Sequence, residues 1–544
     1  MIYLTSDVVR SDVMDTNSSV YNELNKAWKA TCRILFGEEI GELKEYEKLL
    51  KEYMPAIGKR KSHVSGKDVT VAFDEYCKDA RFVSLDEVKE KSIEPLTINE
   101  IKDIDSIVEA ISEKWKYTGG RILGRSTSVE NSDVVIDSQY ISNSVNVVKS
   151  QYVISSAAVR DDSKYIFGSI GISDSEFLVR IYGAEHAKRC FESQSPNYSS
   201  DLKFCYNCIE CSDMLFSFNL RNKHFVIGNL QLPKDKYIII KEKLIQEMVE
   251  ELKKNKSLPS LFKFIPNKKT KTDLNFDSSS KRETTDMEKI QRAYSSTFKV
   301  LFKKEPDKIE EYERWLSRYS AIPKEVASAI SGRKIYLHQI PEFKRVYDET
   351  YESRIVEHSE ALELSKKYVN ENKLFSLNEI KDAMEEIAFF SPAYTTGVVN
   401  NLIKTSVGID AINIYATSVA IKAENSAVNG TIGPHAKYIF GNHRTMDSQF
   451  CIHTYYSSNL TRCFEVDSSS NCSDTYFAHN CEGLSEAMFC FNVKGKRHAI
   501  GNTELPADQY RKIKDMLVEQ MADEILKNKE LKYDIFNIGC GKKG

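Results

Sequence analysis

Three thiols within seven residues, Cys205-Tyr-Asn-Cys208-Ile-Glu-Cys211, with Cys190 upstream, form the first grouping in this chain that could do chemistry. Cys-x-x-Cys spacing suits a tetrahedral zinc ion, which in structural sites takes four closed ligands. The chain weighs against that use. It repeats itself at an offset of 273 residues, and the matching positions hold Ala478, Cys481 and Leu484, so one thiol of the three returns. Buried Cys serves equally as a small hydrophobe. The expectation is therefore core thiols and no cofactor, with Cys190, Cys205, Cys208 and Cys211 the sole metal candidates.

Arg189 and Glu192 are the candidate binding residues, because both return, as Arg462 and Glu465. An arginine in this setting suits an anion or a partner carboxylate; the plainer alternative is an ion pair holding neighbouring strands in register. The histidines offer no repeated dyad with Cys: His186 matches Asn459, His224 matches Arg497, and His435 and His443 match Asp162 and Ile170. Asp174 and Asp447 stand before Ser175 and Ser448. Carboxylates clustered on a β-helix face can do glycoside chemistry, but an Asp at a corner is ordinarily a turn residue. No phosphate-cradling loop, nucleophile elbow or H-E-x-x-H helix occurs, so no residue is assigned as catalytic. Lys164-Tyr165, Lys437-Tyr438 and Arg180-Ile-Tyr182 interleave charge with aromatics, as in platforms for single-stranded nucleic acid. Strand alternation accounts for the same pattern by turning Tyr inward and Lys outward.

The elements that would position these residues are also repeated. Tyr165-Ile-Phe-Gly returns at 438, and Asn219, Gly228, Asn229, Pro233 and Tyr237 return as Asn492, Gly501, Asn502, Pro506 and Tyr510. Nearer the start the offset is 266, carrying Thr31, Leu35, Phe36 and Tyr46 onto Thr297, Leu301, Phe302 and Tyr312. A finer beat runs inside each copy. Ser138, Ser150, Ser163, Ser175, Ala187, Ser200 and Ser212 open units spaced by 12, 13, 12, 12, 13 and 12 residues. Such a unit holds one strand and a turn. Repeated residue classes, with Tyr140, Tyr152, Tyr165 and Phe177 as an aromatic column, favour a stacked β-solenoid over an antiparallel meander.

The expected fold class is α+β, a tandem duplication. Each copy runs from a helical N-terminal part (1–134 and 287–409) to a short solenoid of about 12-residue units ending in a capping helix (135–263 and 410–544), with a polar linker at 264–286. The two halves are expected to fold as independent domains.

Composition sets wide bounds. The 544 residues suit two to four domains, 41% hydrophobic and 28% charged content is ordinary, and a net charge of −3 gives no basic field for coating nucleic acid. No run of eighteen apolar residues is present, and the first thirty residues carry no secretory pattern. The twelve cysteines are accordingly expected as reduced thiols in a cytoplasmic protein.

The rung pattern with its Cys and aromatic ladder, over roughly 138–229 and 410–502, resembles uncharacterised Cys-rich β-solenoid proteins of archaea and candidate-phylum bacteria. The resemblance implies a fold and no activity. The functional expectation is a non-enzymatic interaction or assembly protein with two equivalent solenoid docking faces, taking a protein partner or self-assembling, with no membrane role. The alternatives are a nucleic-acid- or ribonucleoprotein-associated accessory factor and a glycan-acting β-helix enzyme.

Overall fold

The computed structural model describes residues 16, 18–88, 102–112, 114–265, 286–340 and 352–540. Residues 266–285 of the expected linker and 541–544 of the tail lie outside the described residues. Two long sheets, of 15 and 14 strands, dominate. Their strands pair in parallel at steps of 12 or 13 residues. Gln139 pairs with Gln151, Lys164, Glu176, Lys188, Ser200, Ser212 and His224 in succession. In the second sheet Asn400 leads to Ile412, Glu424, Lys437 and Gln449. A meander would pair antiparallel; this ladder is compatible with a β-solenoid-like architecture.

The backbone repeats on a shorter period than the strands. Val134, Asp137, Tyr140, Asn143, Asn146, Lys149 and Tyr152 all have left-handed conformations, with φ between 47° and 57°. The residue after each is turned into the coil and buried: Val135, Ser138, Ile141, Ser144, Val147, Ser150 and Val153. A 12-residue step thus places four side chains inside, and there is room only for short or compact ones. The serines that alternate with the aliphatics are satisfied in place. Ser138 Oγ donates to the Ile136 carbonyl at 2.8 Å and accepts the Ser150 amide at 3.0 Å; Ser144 does the same with Ser142 and Ser156 at 2.8 and 3.1 Å. Each hydroxyl ties two turns together without leaving a buried polar group unpaired. Left-handed backbone costs about 1–2 kcal/mol at an ordinary L residue, which explains the many Asn and Asp at these positions. The ladder bonds and core offset the rest.

Helices lie along the flanks of the sheets. The helix Ser19–Phe36 starts at Ser18, whose hydroxyl accepts the Tyr21 amide at 2.9 Å, and stops at Gly37 with φ of 85°. Its apolar stripe crosses several strands: Trp28 meets Phe167 with ring centroids 5.4 Å apart, and Phe36 meets Phe191 at 5.1 Å. The helix Met287–Phe302 does the same in the second half, where Phe302 lies 5.0 Å from Phe464. Gly168 is required by close approach. A Cβ there would lie 2.7 Å from the Leu50 carbonyl oxygen, and at Gly441 it would lie 2.8 Å from that of Leu316. Among the described residues no helix is long and apolar enough to cross a membrane.

The expected α+β order of helical part, short solenoid and capping helix is overturned. The chain is mostly β, and its parallel sheets are long. Segments assigned to the helical parts supply an antiparallel hairpin, Gly58–Lys61 with Asp68–Val71, and its counterpart Lys324–Ala327 with Lys334–Leu337. The large sheets already begin at Ile122 and Tyr394. The helix Lys234–Asn255 does not sit as a lid on the last strand. Tyr237, Ile240, Leu244, Met248 and Leu252 enter the same flank core as Leu24 and Trp28. The reason is area: a turn seen end-on is too small to bury a 22-residue amphipathic helix, whereas the column Ile154, Phe167, Val179, Phe191, Lys203, Leu215 and Ile227, apolar but for the buried Lys203, offers a long wall.

The ends of the sheets are met by the opposite half of the chain. Val369 N donates to the Gly228 carbonyl at 2.8 Å, Asn219 Nδ2 to the Phe389 carbonyl at 2.9 Å, and Ser391 N to the Tyr206 hydroxyl at 2.9 Å. In the other direction Asn492 Nδ2 donates to the Lys116 carbonyl at 2.8 Å. Val369, Leu374, Ile380, Met384 and Phe390 belong to the first half's core, and Tyr76, Phe82, Ile107, Trp115 and Tyr117 to the second's. A disulfide joins Cys77 to Cys540, with Cα atoms 6.4 Å apart, so the expectation of twelve reduced thiols is corrected for this pair. The other ten cysteines are free and buried.

Candidate functional site

Arg189 and Glu192 do not make one surface. The Arg189 fork grips Asp201, one turn on, with Nε to Oδ1 at 2.8 Å and Nη2 to Oδ2 at 2.6 Å. Arg462 repeats the grip on Asp474 at 2.7 and 2.6 Å. Burial opposes ionisation of Asp201, but the guanidinium outweighs it and holds the carboxyl below its usual range. Both arginines remain partly open, with side chains 41% and 44% exposed.

Glu192 and Glu465 are buried, so they are corrected as partner-binding residues. Glu192 accepts the Tyr53 hydroxyl and, at 2.7 Å, the Leu261 amide, and Arg180 Nε lies 2.8 Å from its other oxygen. Burial pushes its carboxyl up while Arg180 draws it back down. Glu465 accepts the Ile535 amide at 2.8 Å and lies 2.7 Å from His453 Nδ1. Leu261 and Ile535 both follow a flank helix. The two glutamates are thus retained because each anchors the chain as it leaves that helix.

The four candidate thiols all point into the inner ladder, Cys205 and Cys211 in the serine columns after Ser193 and Ser199, Cys190 and Cys208 in aliphatic columns with Leu178 and Leu220. Cys190, Cys205, Cys208 and Cys211 donate to the carbonyls two residues back, of Lys188, Lys203, Tyr206 and Ile209, at 3.3, 3.4, 3.5 and 3.2 Å. Burial pushes the thiols of Cys190 and Cys211 up to about 12 and that of Cys205 up as well, while at Cys208 burial is outweighed by the hydrogen bond with Cys205, which draws that thiol below its usual range. Metal binding and nucleophilic attack require the thiolate. Among the described residues no group of three or more His, Cys, Asp or Glu side chains is placed to hold a metal ion.

The aromatic column exists but lies outside the coil. Tyr140, Tyr152, Tyr165 and Phe177 stack at 5.0, 4.9 and 4.6 Å with planes within 8°. They occupy left-handed positions against the flank core, and Ile166 takes the inward place next to Tyr165. The alternation that turned Tyr inward is corrected by the three-residue period.

Sequence reasoning missed a buried polar network where the halves cross. Asp467 Oδ2 accepts the Tyr76 hydroxyl at 2.9 Å and lies 2.8 Å from His479 Nδ1, while His479 Nε2 accepts the Thr118 amide at 2.9 Å. Accepting at Nε2 places the imidazole proton on Nδ1 and keeps the ring neutral. Beside it Arg121 forks onto Asp133 at 3.0 and 2.6 Å and reaches Ser468. The chemistry resembles a Tyr-Asp-His relay, but a backbone amide occupies the imidazole nitrogen that would face a substrate.

One corner of each coil is exposed along its length. In the first half it carries Lys149, Asp162, Asp174, His186, Tyr198, Glu210 and Asn222; in the second, Lys422, His435, Asp447, Asn459, Asn471, Gly483 and Gly495. His186 Nδ1 lies 2.7 Å from Asp174, and its ring is 4.8 Å from Tyr198. Two surface cavities are small, about 200 Å³ beside Arg125, Lys149 and Asp162 and about 170 Å³ beside Glu313, Tyr336 and Lys404. No protein-family model, curated protein or solved structure matches the chain.

Proposed function

We propose that this is a non-enzymatic interaction protein that docks a protein partner along the two exposed coil corners. The observation that carries the reading is the continuous polar ridge from Lys149 to Asn222, with its counterpart from Lys422 to Gly495, exposed at every turn. Both cavities fall below the roughly 300–1,000 Å³ usual for small-molecule sites. The first ridge presents Asp162, Asp174 and Glu210 among its seven residues. Carboxylates repel phosphates, which favours a protein partner over the nucleic-acid alternative.

The test is purification of the full chain from its native cell, with amine crosslinking and peptide mapping. A stoichiometric protein crosslinked through Lys149 or Lys422, lost on charge reversal of Asp162 and Asp174, supports the proposal. Co-purifying nucleic acid or glycan, or a partner crosslinked only elsewhere, overturns it.

A further inference from the structure

The flank wall of the first half carries a charge that its neighbours do not balance. Lys203 stands in the wall between Phe191 and Leu215 and is 3% exposed. Among the described residues its ammonium makes no hydrogen bond or ion pair. Both carboxylates of the adjoining column are already taken. Asp201 lies in the fork of Arg189 at 2.8 and 2.6 Å, and Asp213, one step on, accepts Lys241 Nζ at 3.0 Å. Arg189, Lys203 and Lys241 against Asp201 and Asp213 leave one positive charge, and it falls on the most buried of the five. Burial and the Lys241 ammonium draw the Lys203 amine down to about 8, so it is still charged at neutral pH. A sealed ammonium without a counter-charge is costly.

A second unused donor stands beside it. Tyr237, in the first turn of the helix Lys234–Asn255, is 1% exposed, and its hydroxyl has no partner. Lys241 Nζ lies 5.4 Å from its ring, and Asp201 and Cys205 are within electrostatic reach of both Tyr237 and Lys203. The two donors thus share one neighbourhood, and what they lack is an acceptor with a negative charge.

The second half shows the same place in balance. Tyr476 stands where Lys203 does, and its hydroxyl donates to the Leu301 carbonyl at 2.7 Å. Arg462 and Lys514 there face Asp474 and Glu486, two charges of each sign.

We propose that Lys203 and Tyr237 bind a small monovalent anion of the chloride class, in the first half only. Sealed between coil and helix, the place admits an ion and not a metabolite, and a divalent anion would exceed the single unbalanced charge. The site is separate from the partner-docking ridges and stands or falls without them.

The test melts the full chain in sodium chloride and in sodium gluconate, whose anion is too large to enter, at equal ionic strength so that screening is the same. General salt effects are those that Lys203→Met retains. Beyond these, wild type is expected to gain melting temperature in chloride along a binding isotherm. In gluconate Lys203→Met is expected to melt at or above wild type, because it removes an unpaired charge from an apolar wall. Tyr237→Phe removes only a hydroxyl and is expected to need about tenfold more chloride for the same gain; it carries the test if Lys203→Met does not fold. Crystals soaked in sodium bromide are expected to show an anomalous peak touching Lys203 Nζ and Tyr237 Oη, with none at Tyr476. A chloride effect that is absent, or unchanged in both variants (an adventitious ion only), overturns the proposal. So does bromide that is missing from Lys203 or equally present at Tyr476.

Discussion

Cutting the chain between its halves is the most demanding test of the crossing. Residues 1–265 expressed alone lose the cover that Val369, Leu374, Ile380, Met384, Ile387 and Phe390 give their core. Residues 286–544 alone lose Tyr76, Phe82, Ile107, Ile111, Trp115 and Tyr117. At roughly 1.5–3 kcal/mol for each large side chain buried, six such residues amount to about 9–18 kcal/mol. That equals or exceeds the whole net stability of a typical domain, about 5–15 kcal/mol. The separated segments also leave Asp467 and His479 without the Tyr76 and Thr118 that satisfy them. Each half alone is thus expected to lack a cooperative melt near that of the intact chain and to bind hydrophobic dyes. Co-expressed halves are expected to assemble one to one and, through Cys77 and Cys540, to run as a covalent pair on a non-reducing gel. Two soluble, monomeric halves, each melting cooperatively near the intact chain's temperature, would refute this account of the core.

Three further outcomes follow from the same contacts. Arg180→Ala strands Glu192 in the core and is expected to cost about 3–5 kcal/mol in denaturant unfolding, while Arg189→Ala, at a partly exposed pair, costs less than about 1 kcal/mol. Cys77→Ser is expected to lower stability by about 2–5 kcal/mol and abolish the effect of reductant on the melt. Burial lowers the folded pKa of His479 below its ordinary value, so the neutral ring's contribution is complete above about pH 6.5 and is lost as pH falls below that. The check is the difference between wild type and His479→Gln in stability against pH, with wild type expected to lose stability more steeply as the pH falls through that range.

Much of this molecule was legible in the chain before any coordinates. The 12- and 13-residue spacing of Ser138, Ser150, Ser163 and Ser175 is the ladder register, because a parallel stack must return each residue class to the same place. The column of Tyr140, Tyr152, Tyr165 and Phe177 was visible for the same reason. Asp201 was also within reach as the partner of Arg189, since it lies one 12-residue step further on, and Asp474 stands in the same relation to Arg462.

Other features depend on which surfaces meet, and no local pattern records that. Arg189 and Glu192 are three residues apart, one left-handed position to the next, and so fall on different sides of the coil: one partly open to solvent, the other sealed beneath Tyr53 and Leu261. The sequence led to a capping helix after the last repeat unit, but not to the apolar stripe of Lys234–Asn255 seeking the long flank instead of the small end. The crossing of the halves, the Tyr76–Asp467–His479 network and the Cys77–Cys540 bond join residues hundreds of positions apart. Their geometry arises only when two apolar walls, each incomplete in its own half, are closed by segments borrowed from the other.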